Sequence, residues 1–131
     1  MNTPGNWFGA GLNFNGVVWF RREVEVPAAW AGRDLTLRLC PCDKHDTTYF
    51  NNTVIGGIGP ENPEAWSVPR TYRVPGHLVK AGRNTIAVRI YSYVYAGGFL
   101  GKPDQMRLEP PARNDSEQAL PLSGPWRYRV E

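Results

Sequence analysis

Apolar and polar residues alternate with period two along most of this chain. From Val17 to Val26, Val18, Phe20, Val24 and Val26 fall on one face and Trp19, Arg21, Glu23 and Glu25 on the other, the pattern of a half-buried strand. Arg22 interrupts the inner face. Leu35, Leu37 and Leu39 alternate in the same way with Thr36 and Arg38, and Ile86, Val88 and Ile90 with Thr85, Ala87, Arg89 and Tyr91. Shorter strands are predicted at Thr71 to Val74, which stops at Pro75, at Met106 to Leu108, and at Trp126 to Val130. Thr47 to Phe50 and Val54-Ile55 flank Asn51-Asn52, a pair that tolerates the positive φ of a two-residue hairpin turn. Gly76 to Val79 is expected to form one helical turn, and no helical period persists over about ten residues. The chain is therefore predicted to be all-β, with about eight or nine strands punctuated by Gly and Pro. That spacing, with long irregular connections, argues for a two-sheet sandwich of jelly-roll type.

Four stretches lack strand character: 1–16, 56–69, 92–105 and 110–125. The organisation predicted is an N-terminal arm over 1–16, a sandwich core over 17–110, and a connector with the final strand over 111–131. Loops of about 14 residues are uncommon in compact domains unless they carry function or tether domains, so the two internal ones are the first places to seek a site. The terminal stretches read as tethers or interface arms.

At 131 residues the chain has single-domain length and can bury roughly two thirds of its unfolded surface. Its net charge of +3 is spread over scattered arginines and lysines interleaved with acids, without the basic run of a nucleic-acid footprint. No apolar run approaches the roughly 18 residues of a membrane span, and the N-terminus lacks the regions of a signal peptide. A soluble chain without nucleic-acid or membrane partners is expected. Cys40 and Cys42 would lie about 6.5 to 7 Å apart on one strand face, too far for a relaxed bridge. Free thiols, buried or half-buried, are expected, and the two His leave no four-ligand zinc set.

The run from Asp43 to Asn52 combines a polar corner, a short strand and a tight turn, and it gathers carboxylates, an imidazole, hydroxyls and amides. Asp43, His45 and Asp46 are conceivable Ca²⁺ ligands, although imidazole suits so hard an ion poorly. The competing reading is that a short Asp at a strand entry accepts backbone N–H bonds and ties the corner. No cofactor is assigned. No G-x-S-x-G is present, and nothing places Ser67, Ser92, Ser116 or Ser123 beside His45, so a self-contained hydrolase has little support. Paired carboxylates among Asp43, Asp46, Glu61, Glu64 and Asp104 remain open, with nothing to select a pair. Trp66, between Pro63 and Pro69, and Tyr91, Tyr93, Tyr95 and Phe99 give the internal loops aromatic side chains. Sugars present apolar C–H faces with polar edges, which suits an exposed Trp or Tyr beside polar groups. Alternatively, these rings plug the ends of the sandwich or face another domain.

Several segments then fall into a familiar order. Gly16-Val17-Val18-Trp19-Phe20-Arg21-Arg22-Glu23, Pro27, Trp30 to Leu35, the Asp43 to Asn52 corner, Pro69-Arg70-Thr71-Tyr72, and Leu78 to Arg89 resemble the galactose-binding-like jelly roll of β-galactosidases and β-glucuronidases. The resemblance is closer to the version inserted in bacterial sialate O-acetylesterases, where Leu122 to Val130 looks like the segment leading back into the esterase domain. It implies a non-catalytic accessory domain that binds or positions carbohydrate, with an esterase catalytic domain as partner and a bacterial periplasmic or secreted location. The Ser-His-Asp site of such an enzyme would lie elsewhere, since Gly-Gln-Ser-Asn and Asp-x-x-His are both missing here, and no catalytic residue carries over.

Three positions depart from the family pattern. Asn51-Asn52 replaces the usual Asn-Gly, Cys40 and Lys44 replace a Gly and an acid, and the segment from Tyr91 to Gly98 is more aromatic than the usual Asp and Gly run. The candidate binding residues are Trp66, Tyr93 and Tyr95 as stacking surfaces, with Asp43, Asp46, Asn51 and Arg70 as hydrogen-bond partners. A purely structural insert, packing these loops on the esterase domain, is the rival reading.

Overall fold

A computed structural model describes residues 1–93, 97–111 and 118–131. Among them the chain forms thirteen strands and four short 3-10 turns. The strands are β1 (Asn2–Thr3), β2 (Gly16–Val26), β3 (Leu35–Leu39), β4 (Cys42–Asp43), β5 (His45–Phe50), β6 (Thr53–Ile58), β7 (Arg70–Val74), β8 (Gly82–Ser92), β9 (Gly98–Phe99), β10 (Arg107–Glu109), β11 (Leu120–Pro121), β12 (Gly124–Pro125) and β13 (Arg127–Val130). Five of these, β1, β4, β9, β11 and β12, are two residues long. They exceed the eight or nine strands expected because two-residue pairings carry no alternation that a sequence could display.

The fold is the expected two-sheet β-sandwich. One sheet has the order β13-β2-β8-β5-β6 and the other β11-β10-β3-β7, all antiparallel. Between them lie the inward rows that the alternation marks: Val18 and Phe20 of β2, Leu35, Leu37 and Leu39 of β3, and Ile86, Val88 and Ile90 of β8, all buried. Arg22 does occupy the inner row of β2. Its guanidinium reaches the end of the sandwich, where Nη1 donates to the carbonyls of Leu122 and Ser123 at 2.8 and 2.5 Å.

Residues 1–16, set apart in the sequence as an arm, carry β1, which pairs with β12. They also place Trp7 in the core, stacked on Phe20 at 6.3 Å. Phe20, Phe99 and Trp126 continue this aromatic cluster at 5.1 and 5.6 Å. Gly97, at φ +70, passes so close to the Trp7 indole that a Cβ would overlap the ring.

Asn51 and Asn52 adopt φ of 47 and 68, the positive pair a two-residue turn requires, and close the β5–β6 hairpin. Gly76–Leu78 forms a single 3-10 turn. Cys40 and Cys42 are free and buried. Burial pushes the Cys40 thiol up to about 12 and that of Cys42 well above the usual value.

Candidate functional site

Alternation along β5 decides what the Asp43 to Asn52 corner does. Asp46 faces inward and is buried, while His45 lies on the opposite face of the strand. Inside, Asp46 Oδ1 accepts from Arg70 Nε at 2.7 Å and from the Ile58 N–H at 3.1 Å, and its Oδ2 accepts from Thr48 Oγ1 and Tyr72 Oη, both at 2.7 Å. Burial, and then the adjacent Asp46 carboxylate, push the Tyr72 phenol upward.

Arg70 is 0% exposed. Its remaining donors reach the carbonyls of Lys44 and Val68, each at 2.7 Å, and that of Ala65. A buried charge is tolerable when paired and fully hydrogen-bonded, and this one ties β5, β7 and the turn Ala65–Ser67 together. Asp43, also buried, accepts the Gly97 N–H at 2.7 Å and pairs with Lys44. Asn51 donates to Leu78 O and Asn84 Oδ1 and accepts from the Thr85 N–H, each at 2.8 Å.

Asp43, Asp46, Asn51 and Arg70 are thus held by protein groups rather than presented at a surface. Asn51 stands at the far end of β5, about 20 Å from His45 by strand rise. Among the described residues, no three of His, Cys, Asp and Glu are grouped to hold a metal ion. His45 and Asp46 point to opposite faces, so they do not converge on a Ca²⁺ site.

Trp66 and Tyr93 do come together. They line one open cleft of about 550 Å³ with Lys44, His45, Asn62 and Tyr91, and with Pro60, Pro63 and Ala65 completing the wall. Trp66 and Tyr93 are 51% and 53% exposed, and Tyr91 39%. The cleft has two flanks of different origin. On one, His45 of β5 stands directly across from Tyr91 of β8, and the rings of His45, Tyr91 and Tyr93 form a triangle with centroid separations of 6.0, 5.7 and 5.8 Å. Lys44 Nζ lies 6.0 Å from the Tyr93 centroid, at the outer range of a cation–π contact.

On the other flank, residues 59–67 fold back on themselves. Glu61 accepts the Gly59 N–H at 2.8 Å, Asn62 accepts the Glu64 N–H at 2.9 Å, and Ser67 Oγ donates to Glu64 O at 2.8 Å. The Gly59 N–H holds the Glu61 carboxyl below its ordinary range. Arg70 grips the carbonyls of Ala65 and Val68 on either side of Trp66, so the exposed indole rides on a buried anchor.

Tyr95 lies outside the described residues. The sequence reading passed over His45 and Tyr91 as partners in this cleft, because their adjacency follows from the β5–β8 register, which no local pattern carries. Chemically, the cleft offers aromatic faces with imidazole, amide, phenol and ammonium groups at their edges. No carboxylate belongs to its lining among the described residues.

No family model and no curated protein matches this chain. Solved structures do. The chain is similar to a β-D-glucuronidase from Dictyoglomus thermophilum (15% identity, TM-score 0.52, 60% of this chain and 13% of that one). It is also similar to Ruminococcus gnavus β-glucuronidase (20% identity, TM-score 0.53, 76% and 17%). A third is an uncultured Clostridium sp. β-glucuronidase (24% identity, TM-score 0.51, 60% and 13%). The chain spans less than a fifth of the length of each of these proteins, and what it shares with them is the fold of a β-sandwich segment.

Proposed function

We propose that this chain is a non-catalytic carbohydrate-binding β-sandwich that serves as an accessory domain to a carbohydrate O-acetylesterase. The observation that carries the binding reading is the convergence of Trp66, Tyr91 and Tyr93 on one open cleft edged by His45 and Asn62. Such rings stack on the C–H faces of a pyranose while polar edges take its hydroxyls. The three structural neighbours described above, each named as a β-glucuronidase, support a setting in sugar chemistry. The esterase setting rests on the ordered motifs from Gly16 to Arg89 and from Leu122 to Val130. The non-catalytic reading is supported by a lining that, among the described residues, supplies no carboxylate pair for acid–base work on a glycosidic bond.

Titration of the intact chain against a panel of neutral, acetylated and acidic glycans, followed by Trp fluorescence and calorimetry, tests the binding. Saturable binding that Trp66→Ala weakens is the expected result. Failure of every glycan at about millimolar concentration favours the rival reading, in which the same exposed rings pack on the esterase domain. Acetyl-ester hydrolysis by the purified chain alone would overturn the accessory assignment. The esterase setting is tested by the reading frame around the gene segment, where Gly-Gln-Ser-Asn upstream and Asp-x-x-His downstream are expected.

A further inference from the structure

The outer strand of the five-stranded sheet, β13, pairs with β2 alone among the described residues, and all four of its residues are exposed. The Glu131 N–H donates to Val17 O at 3.0 Å. In an antiparallel ladder, bonded and non-bonded pairs alternate, so Arg129 and Arg127 face Trp19 and Arg21 as bonded pairs. The backbone N–H and C=O of Tyr128 and Val130 then point away from the sheet.

The side chains of that strand divide by face. Tyr128 and Val130 stand opposite Phe20 and Val18, which are fully buried, yet they are themselves 49% and 38% exposed. The core-side surface of this sheet therefore continues beyond what the second sheet covers. On the outer side Arg127 is directly opposite Arg21, a like-charge pair that works against a sheet. Neighbouring arginines are matched: Arg89 with Glu131 at 3.0 Å and Arg83 with Glu23 at 3.5 Å. Arg21, Arg127 and Arg129 have no hydrogen-bonded or ion-paired side-chain partner among the described residues. All three border an open trough of about 610 Å³ that also takes in Trp19, Tyr128, Val130 and Glu131, whose carboxylate is already held by Arg89 and Trp19.

We propose that β13 receives an extended acidic segment of another polypeptide, added as a further strand in which carboxylate and apolar residues alternate. The free backbone groups of Tyr128 and Val130 would supply the ladder bonds. Residues of the incoming strand on the outer side meet Arg127 and Arg129, with Arg21 one strand further in, which call for carboxylates, and those on the core side cover Tyr128 and Val130, which call for apolar side chains. A second copy of this chain is the wrong occupant, because two β13 edges side by side would bring arginines against arginines. Arginine on an exposed edge deters self-pairing while leaving the edge open to an acidic strand.

The test uses a blocked synthetic peptide of alternating Glu and Val, with amide chemical shifts of the intact, isotope-labelled chain as the readout. Saturable binding at about millimolar peptide or tighter, with shifts centred on Tyr128 and Val130, is expected. Arg127→Ser with Arg129→Ser should weaken it about tenfold or more, as should N-methylation of alternate peptide residues, which leaves the protein untouched. The proposal is overturned if no shift appears on β13, if a peptide with its Glu and Val in separate blocks binds equally well, or if heparin reproduces the same shifts. The last result would mark the edge as a general polyanion surface.

Discussion

The guanidinium of Arg70 meets the carboxylate of Asp46 at 2.7 Å in the interior, and the same guanidinium holds the carbonyls that flank Trp66. These two residues, candidate ligand contacts in the sequence, hold the turn that carries the exposed Trp66.

Removing one member of that pair leaves an uncompensated buried charge. Arg70→Met is expected to cost about 3–5 kcal/mol of stability, read as a lower midpoint in urea unfolding. Under conditions where the variant still folds, the Trp66 emission should shift as its turn loosens. An Arg70→Met stability within about 0.5 kcal/mol of the parent would contradict the anchoring role.

Trp66 itself behaves differently because half of it is in solvent. Trp66→Ala should change stability by no more than about 0.5 kcal/mol while lowering glycan affinity about tenfold, or about 1.4 kcal/mol. Tyr91→Ala should weaken binding in the same direction. Calorimetric titration of each variant, paired with its unfolding curve, separates loss of contact from loss of fold.

The two asparagines of the hairpin turn should respond in opposite ways to glycine. Asn52, at φ 68, makes no side-chain hydrogen bond among the described residues, and Asn52→Gly relieves a left-handed backbone, raising stability by about 0.5–1 kcal/mol. Asn51 binds Leu78, Asn84 and Thr85, and Asn51→Gly should lower stability by about 1–3 kcal/mol through the partners it leaves behind. Thermal unfolding of the two variants side by side provides the check.

Alkaline pH should destabilise the fold in a defined window. Burial raises the Cys40 thiol from 9.0 to about 12, and Cys42 and Tyr72 are shifted in the same direction. Each group holds its proton more tightly folded than unfolded, so this contribution is complete below pH 9 and is lost as pH rises towards 12. The slope is about 1.4 kcal/mol per pH unit for each group that has titrated only in the unfolded chain. Midpoints measured across that range should fall, and Cys40→Ala combined with Cys42→Ala should flatten the first part of the fall.

Strands β2, β3 and β8 were legible because each sets buried apolar positions against more exposed ones in alternation. The turn at Asn51-Asn52 was legible through its backbone chemistry. The two-residue strands were not, since a pairing such as Thr3 with Gly124 depends on long-range closure alone. Trp66 and Tyr93 could be picked out as loop aromatics, but Asp46 and Arg70 carried the same polar signature whether they faced solvent or each other. Tyr91 and His45 meet only through the register of two strands that lie far apart in the chain.

His45 and Asp46 are consecutive, one lining the cleft and the other inside the ion pair beneath the opposite flank. Neither flank can move far without disturbing β5, which is hydrogen-bonded on both sides. A sugar seated in the cleft would then bind the folded chain and have nothing to grip once the sandwich opens. Its affinity would appear as whole-domain protection: an upward shift in melting temperature, and slowed amide exchange deep in β5 and β8.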